Sequence, residues 1–154
     1  MNYWLMKSEP DVFSIDDLAR KKSEPWNGVR NYQARNFMRA MKRGDRALFY
    51  HSNADEIGVV GVMEISREAY PDPTQFEKKS EYFDAKSSPT DPRWSMVDVS
   101  FVEKFPAVVT LETLRAQKGL EGLLLLQKGT RLSVIPVERK HYDLVLKLAR
   151  GKAS

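Results

Sequence analysis

The centre of the chain reads GDRALFYHSNADEIGVVGVMEIS from residue 44 to residue 66, and this stretch decides the class of fold. It contains two apolar runs, 46–51 and 57–65, on either side of a short polar segment, which is the pattern of two successive β-strands. Gly58 and Gly61 allow a bend or a close backbone approach within the second strand. The chain is therefore predicted to fold around a sheet.

The segment before these strands, residues 31–42, is predicted to form an amphipathic helix that Gly44 ends. Its apolar residues recur at i, i+3, i+4 and i+7, the helical period: they are Ala34, Phe37, Met38 and Met41. Arginines occupy a separate stripe of the same helix: Arg35, Arg39 and Arg43. A shorter helix is predicted to begin at Ser14, because Asp17 three residues later gives a capping-box-like start.

Further elements are predicted on both sides of this centre. Strands are expected at 2–7, 95–105 and 131–137, helices from Thr110 and from His141, and loops at 25–28 and 66–95, while the type of 123–126 stays ambiguous. Strands and helices do not alternate regularly, which indicates the α+β class, with a curled sheet or small β-barrel and flanking helices. No linker or repeat divides the chain, so one domain spanning 1–154 is predicted.

Composition excludes several classes of function. The chain has 154 residues and no cysteine, which removes disulfides, thiolate metal sites and thiol nucleophiles. Its two histidines, His51 and His141, show no metal-ligand spacing, so neither a metal nor a cofactor is expected. The longest apolar run, 123–126, is far shorter than the roughly 20 residues of a membrane span. Because the N-terminus shows no export signal, the protein is predicted to be cytoplasmic.

Charge is unevenly distributed along the chain. The net charge is +4, but residues 1–53 and 107–154 carry +4 and +5 while residues 54–106 carry −5. This pattern favours one positive face that an anionic polymer could use. A solvated helix surface is the alternative, and charge alone favours it.

Two tryptophans lie in polar, turn-forming surroundings where a core residue is less expected. Trp26 lies within Pro-Trp-Asn-Gly and Trp94 within Asp-Pro-Arg-Trp-Ser. Stacking a nucleobase on an aromatic ring contributes about 1–3 kcal/mol, so the two indoles are candidates to hold a base between them. The alternative is that each indole pins its loop to the core, and the residues alone favour this alternative.

Small polar and basic residues accompany these tryptophans. Hydroxyl, amide and imidazole groups suited to reading a base edge are Ser8, Asn27, Asn31, Tyr50, His51, Ser52 and Ser133. A pocket must replace the hydrogen bonds that an extruded base gives up. Guanidinium groups and helix N-termini favour phosphate, and the candidates for this role are Arg30, Asn31, Arg35 and Arg39. Turn capping and a solvated arginine face remain the structural alternatives.

Catalytic motifs give no support for an enzyme. No serine has a G-x-S-x-G surround, and the sequence contains no phosphate-binding Walker loop, HExxH or zinc-deaminase signature. No catalytic residue is therefore predicted.

Several motifs, in this order, resemble the EVE domain family over nearly the whole chain. They are YWLMKSEP (3–10), WNGVRNYQARN (26–36), GD (44–45), FYHS (49–52), GVVG (58–61), DPRW (91–94) and RLSVIPV (131–137). The resemblance implies a PUA-like barrel related to the YTH and ASCH domains. It also implies recognition of modified bases, chiefly modified cytosine in DNA, with RNA binding as a general property of the superfamily.

The resemblance implies a base pocket without chemistry. Its implied members are Ser8, Trp26, Asn27, Tyr50, His51, Ser52, Trp94 and Ser133, with Arg30, Asn31, Arg35 and Arg39 on the phosphate side. Two alternatives remain open. One is an enzyme that acts on a free or modified nucleotide with His51 as acid or base, and the other is a pocket for a small anionic metabolite.

Overall fold

The computed structural model describes residues 1–151. Its strands are β1 (Tyr3–Ser8), β2 (Ser23–Pro25), β3 (Arg46–His51), β4 (Gly58–Pro71), β5 (Ser95–Thr110) and β6 (Val134–Val137). Its helices are α1 (Ile15–Lys21), α2 (Tyr32–Ala40), α3 (Leu111–Arg115) and α4 (Arg139–Ala149). Short 3-10 turns occur at Pro73–Phe76, Lys118–Leu120 and Leu124–Leu126. The predicted α+β class is confirmed, and residues 152–154 of the predicted domain lie outside the described residues.

All six strands form one mixed sheet in the order β2-β5-β4-β3-β1-β6. β1 runs parallel to β3 and antiparallel to β6, and the remaining neighbours are antiparallel. The register between β4 and β5 shifts at four points, and such bulges bend and twist a sheet. Within the described chain the sheet is therefore a curled, open one rather than a closed barrel.

Two glycines of β4 permit the close pairing with β5. A Cβ atom on Gly58 would lie 2.2 Å from the carbonyl oxygen of Val109, and one on Gly61 would lie 2.4 Å from that of Glu103. Both distances are far below van der Waals contact, so only glycine fits at either position. The predicted close backbone approach in this strand is confirmed.

The two faces of the sheet carry separate cores. Phe49 packs with α1 and α2 on one face, while its neighbours Leu48 and Tyr50 pack with α3 and α4 on the other. This alternation follows from the period of two along a strand. The predicted helix over 31–42 buries its apolar stripe against the first face, and Ala34 and Met38 are fully buried.

Several predicted boundaries move because tertiary pairing decides them. The predicted loop 66–95 is shorter in the structure, since β4 continues to Pro71, which pairs with Ser95 of β5. The predicted loop 25–28 begins inside β2, an edge strand that pairs with β5. The ambiguous segment 123–126 is mostly a 3-10 turn. None of the helices in residues 1–151 has the length and apolar character needed to cross a bilayer.

Candidate functional site

A cavity of about 500 Å³ opens at the edge of the sheet where β1 and β3 end and β6 begins. This volume falls in the usual range of sites for small molecules and cofactors. The residues that line it come from the start, centre and end of the chain: Lys7, Ser8, Glu9, Val12, Phe13, Lys21, Glu24, Pro25, Trp26, Asn27, Gly28, Val29, Ser52, Tyr82, Arg131 and Ser133. We call this the β1-end cavity.

Trp26 forms an aromatic wall of the β1-end cavity. Its indole is 8% exposed and meets Phe49 edge-on, with ring centroids 5.4 Å apart, and Phe13 edge-on at 6.2 Å. Its backbone amide donates to the carbonyl of Val97 at 2.7 Å, which extends the pairing of β2 with β5. The indole is thus fixed by the core on one side and borders the cavity on the other.

Tyr82 contributes a second ring from the segment between β4 and β5. It lies over Gly28, a residue with φ of +83° whose amide donates to Oδ2 of Asp72 at 2.7 Å. Asp72 is fully buried at the end of β4. Burial raises the pKa of the Tyr82 phenol, so the ring presents a neutral hydroxyl. No sequence signal pointed to Tyr82, because it lies in the polar segment that was predicted only as a loop.

Arg30 holds this segment in place. Its guanidinium donates five hydrogen bonds: to the Tyr82 carbonyl twice, and once each to the Val29 carbonyl, Asp72 Oδ2 and Thr74 Oγ1. An arginine has five N–H donors, so this side chain is fully used within the fold. The structure thus gives Arg30 a role within the fold, and its contact with phosphate stays a prediction.

Trp94 lies away from the cavity. Its ring stacks on Tyr32 with centroids 4.8 Å apart, and its Nε1 donates to Asp84 at 2.7 Å. That hydrogen bond lowers the pKa of the Asp84 carboxyl. The indole is 5% exposed and does not belong to the cavity lining. The structure does not bring Trp26 and Trp94 together across one hollow, because Tyr32 of α2 takes the stacking position on Trp94.

Tyr50 and His51 also lie outside the cavity lining. Tyr50 is buried in the core on the α3 and α4 face. His51 Nε2 accepts the backbone amide of Ile15 at 3.1 Å, so it caps the start of α1. Burial lowers the pKa of His51, which favours the neutral imidazole that this acceptor role requires. The structure does not bring these two predicted pocket residues to the cavity, because strand alternation turns Tyr50 to the far face and α1 uses His51.

The four remaining predicted pocket residues do line the cavity. The Ser8 hydroxyl donates to the carbonyl of Phe13 at 2.7 Å, and backbone bonds link Ser8 to Ser52 and Lys7 to Ser133. These links hold the three strand ends together. Within residues 1–151, the side chains of Asn27, Ser52 and Ser133 form no hydrogen bond. Their donors and acceptors therefore have no partner in the described part of the fold.

Cations that the sequence analysis missed border the same cavity. They are Lys7, Lys21 and Arg131. Lys7 is half-buried, and burial lowers the pKa of its amine. Lys21 pairs at the exposed rim with Glu24 at 3.4 Å. The position of Lys7 near the end of β1, next to Ser8, is the one signal by which sequence reasoning could have found it.

The remaining predicted phosphate ligands lie on α2. Asn31 caps that helix, since its side chain accepts the amide of Ala34 at 2.9 Å. Arg35 donates to the Arg93 carbonyl at 2.9 Å, and Arg39 donates to Ser95 Oγ at 3.0 Å. Neither arginine has a carboxylate partner in the described part of the chain. Residues 1–151 also contain no cluster of three or more histidine or acidic side chains suited to a metal ion.

Comparison with known proteins gives extensive similarity. The EVE domain family model matches residues 2–148. Mouse thymocyte nuclear protein 1 is 47% identical over 171 aligned positions, which cover 99% of this chain and 76% of that protein. A solved protein of Pseudomonas syringae is 50% identical with a TM-score of 0.93, covering 96% of this chain and 99% of that one. Human THYN1, solved in complex with DNA containing 5-methylcytosine, is 44% identical with a TM-score of 0.92. The alignment covers 97% of this chain and 98% of that one.

These comparisons correct the predicted location. The mouse relative is named a nuclear protein, so the cytoplasmic expectation is wrong. The error has a simple cause. The presence or absence of an export signal separates exported proteins from those that are not exported. It does not show in which compartment a protein that is not exported resides.

Proposed function

The chain belongs to the EVE domain family, and on that premise we propose that it binds DNA carrying a modified cytosine, with the modified base turned out of the double helix into the β1-end cavity. Family membership confirms the resemblance drawn from the motifs. One observation carries the proposal: human THYN1, alike in fold and 44% identical, has been solved in complex with DNA containing 5-methylcytosine. We further propose that residues 1–154 act as one domain.

The cavity walls suit a planar heterocycle. Trp26 and Phe13 supply aromatic surface, and Tyr82 supplies a further ring from the segment between β4 and β5. Stacking of one base on such a surface contributes about 1–3 kcal/mol and does not depend on which base is bound. In this proposal the base lies against Trp26, and the second ring comes from Tyr82 rather than from Trp94.

Base identity would be read by the polar groups at the strand ends. Asn27, Ser52 and Ser133 keep unused donors and acceptors, while the Ser8 hydroxyl already donates its hydrogen bond to the Phe13 carbonyl and offers only an acceptor. An extruded cytosine presents one amino donor and two acceptors on its pairing edge, and a site must match these groups or lose affinity. This combination of an amide and hydroxyls can satisfy such an edge.

Phosphates beside the extruded base would meet the positive rim. Lys21 and Arg131 border the cavity at exposed positions, and Arg35 and Arg39 remain proposed contacts farther along α2. Such contacts position the strand without reading sequence. Recognition of RNA by the same surface remains a prediction.

We propose binding without chemistry. His51, the residue on which a catalytic role would depend, is used as a neutral acceptor for the first turn of α1 and does not border the cavity. A general base must reach the proton it removes. The arrangement therefore favours a reader over an enzyme that acts on nucleotides.

The proposal is tested by fluorescence anisotropy with short labelled DNA that contains cytosine or 5-methylcytosine at one position. We expect tighter binding to the methylated strand at every salt concentration. Matched RNA and the free nucleoside monophosphate serve as comparison ligands. Equal affinity for the methylated and unmethylated DNA would refute recognition of the modified base. A mononucleotide that binds as tightly as the oligonucleotide would favour a metabolite pocket.

A further inference from the structure

A valine projects from the mouth of the β1-end cavity. Val12 is 66% exposed and lines the cavity. Five other large hydrophobic side chains are exposed in the described part of the chain, and none of them belongs to the cavity lining. Isolated exposed valines are ordinary on protein surfaces. It is the position of Val12, and not its exposure alone, that sets it apart.

The turn that carries Val12 is held from both sides. The amides of Val12 and Phe13 both donate to the Glu9 carbonyl at 2.9 Å, and the Ser8 hydroxyl closes the turn on the Phe13 carbonyl. The Glu9 carboxylate accepts from Asn53 Nδ2 at 2.6 Å, which ties the turn to the segment after β3. Little conformational freedom remains to be lost when this side chain meets a partner.

Extrusion of a base creates a gap that must be filled. Leaving the stack costs a few kcal/mol per base step, and proteins that distort duplex DNA offset this cost by inserting an apolar side chain between bases. Val12 has the required chemistry and stands beside the cavity that would receive the base. The exposed cations Lys21 and Arg131 lie on the same rim, where they can contact the flanking phosphates.

We propose that Val12 enters the base stack of double-stranded DNA at the place the extruded base has left. This inference rests on the proposed function and deepens it, since it makes the duplex the physiological form of the ligand. Val12 then contributes to duplex binding only. A single strand has no continuous stack to repair, so its base can enter the cavity without help from this side chain.

The test compares two ligands that contain the same 5-methylcytosine: a short duplex and its methylated strand alone. Val12→Ser is expected to weaken duplex binding about tenfold while leaving single-strand binding unchanged, because only duplex binding includes the unstacking step. Val12→Leu keeps an apolar side chain and is expected to retain the duplex affinity. Val102→Ser, at a valine of β5 that is 36% exposed and outside the cavity lining, is the matched control and should alter neither affinity.

The outcomes separate this inference from the function on which it rests. If the unchanged protein binds neither ligand, the proposed function fails and the inference falls with it. If the unchanged protein binds both ligands, the role of Val12 alone is overturned by either of two results. In the first, Val12→Ser binds the duplex with unchanged affinity, and in the second, its affinity for both ligands falls by the same factor. Thermal melting of each variant shows whether the fold is retained.

Discussion

The ring of Tyr82 lies so close to the α-carbon of Gly28 that a Cβ atom there would come within 2.7 Å of it. The Tyr82 ring can therefore take this position because residue 28 has no side chain.

Replacing Gly28 with alanine should push Tyr82 out of place. We expect Gly28→Ala to lower the free energy of unfolding by about 2–3 kcal/mol, from a strained positive φ and from the clash. Gly44→Ala is the control, because its φ is +94° and open space surrounds the missing Cβ. Urea denaturation should show a clearly smaller loss for Gly44→Ala. An equal decrease in the free energy of unfolding of the two variants would mean that the Tyr82 ring moves aside without a free-energy cost.

Removing the indole of Trp26 should remove stacking on the bound base. We expect Trp26→Leu to weaken binding of DNA containing 5-methylcytosine by about 1–3 kcal/mol, or roughly fivefold to 150-fold. Trp94→Leu removes an equally buried indole outside the cavity, so it should lower stability while keeping the preference for methylated over unmethylated DNA. Anisotropy titrations measure that ratio, and its loss in the Trp94 variant would contradict the assignment.

Arg39 should contribute affinity without specificity. It lies on α2 with no carboxylate partner in residues 1–151, and it contacts Ser95 and nearby carbonyls. We expect Arg39→Ala to weaken the binding of methylated and unmethylated DNA alike. It should also reduce the slope of log K against log salt concentration by about 1. Arg139→Ala, an exposed arginine of α4 on the opposite face of the sheet, is the matched control. An unchanged salt slope in the Arg39 variant would exclude a phosphate contact.

His51 should make stability depend on pH. Burial lowers its pKa in the folded state below the ordinary 6.5. The unfolded chain therefore takes up the proton first, so the stabilisation is complete above about pH 6.5 and is lost progressively as the pH falls below it. Replacing His51 with glutamine keeps an acceptor for the Ile15 amide and removes the titration. The free energy of unfolding, measured by urea denaturation between about pH 7 and pH 5, should change less with pH for His51→Gln. An unchanged pH dependence would contradict this role.

Local signals in the sequence were the most informative about the fold. The capping box at the start of α1 was predicted from two residues, and the structure forms both of its bonds, between Ser14 and Asp17. Both partners lie within one helical turn, so the pattern can be read from the local sequence. The end of β4 was not predictable in this way, because residues 66–71 have no apolar alternation and are held as a strand by pairing with β5.

The candidate site was predictable only in part, for the same reason. Trp26 and Trp94 occupy similar polar, proline-containing surroundings in the sequence, yet one borders the cavity and the other stacks on Tyr32. Which way each indole turns depends on helices and strands far away in the chain. Arg30 illustrates the same limit, since its partners Asp72 and Tyr82 lie more than forty positions away.

The parallel pairing of β1 with β3, with β6 on the outer side of β1, means that the cavity is assembled from residues far apart in the sequence. Ser8 comes from the first strand, and Arg131 and Ser133 come from the segment that precedes the last one. During synthesis on the ribosome, the wall contributed by Arg131 and Ser133 is missing until residues 131–133 have emerged. Ligand binding can therefore report completed folding, and a nascent chain that stops short of β6 should be unable to engage DNA prematurely.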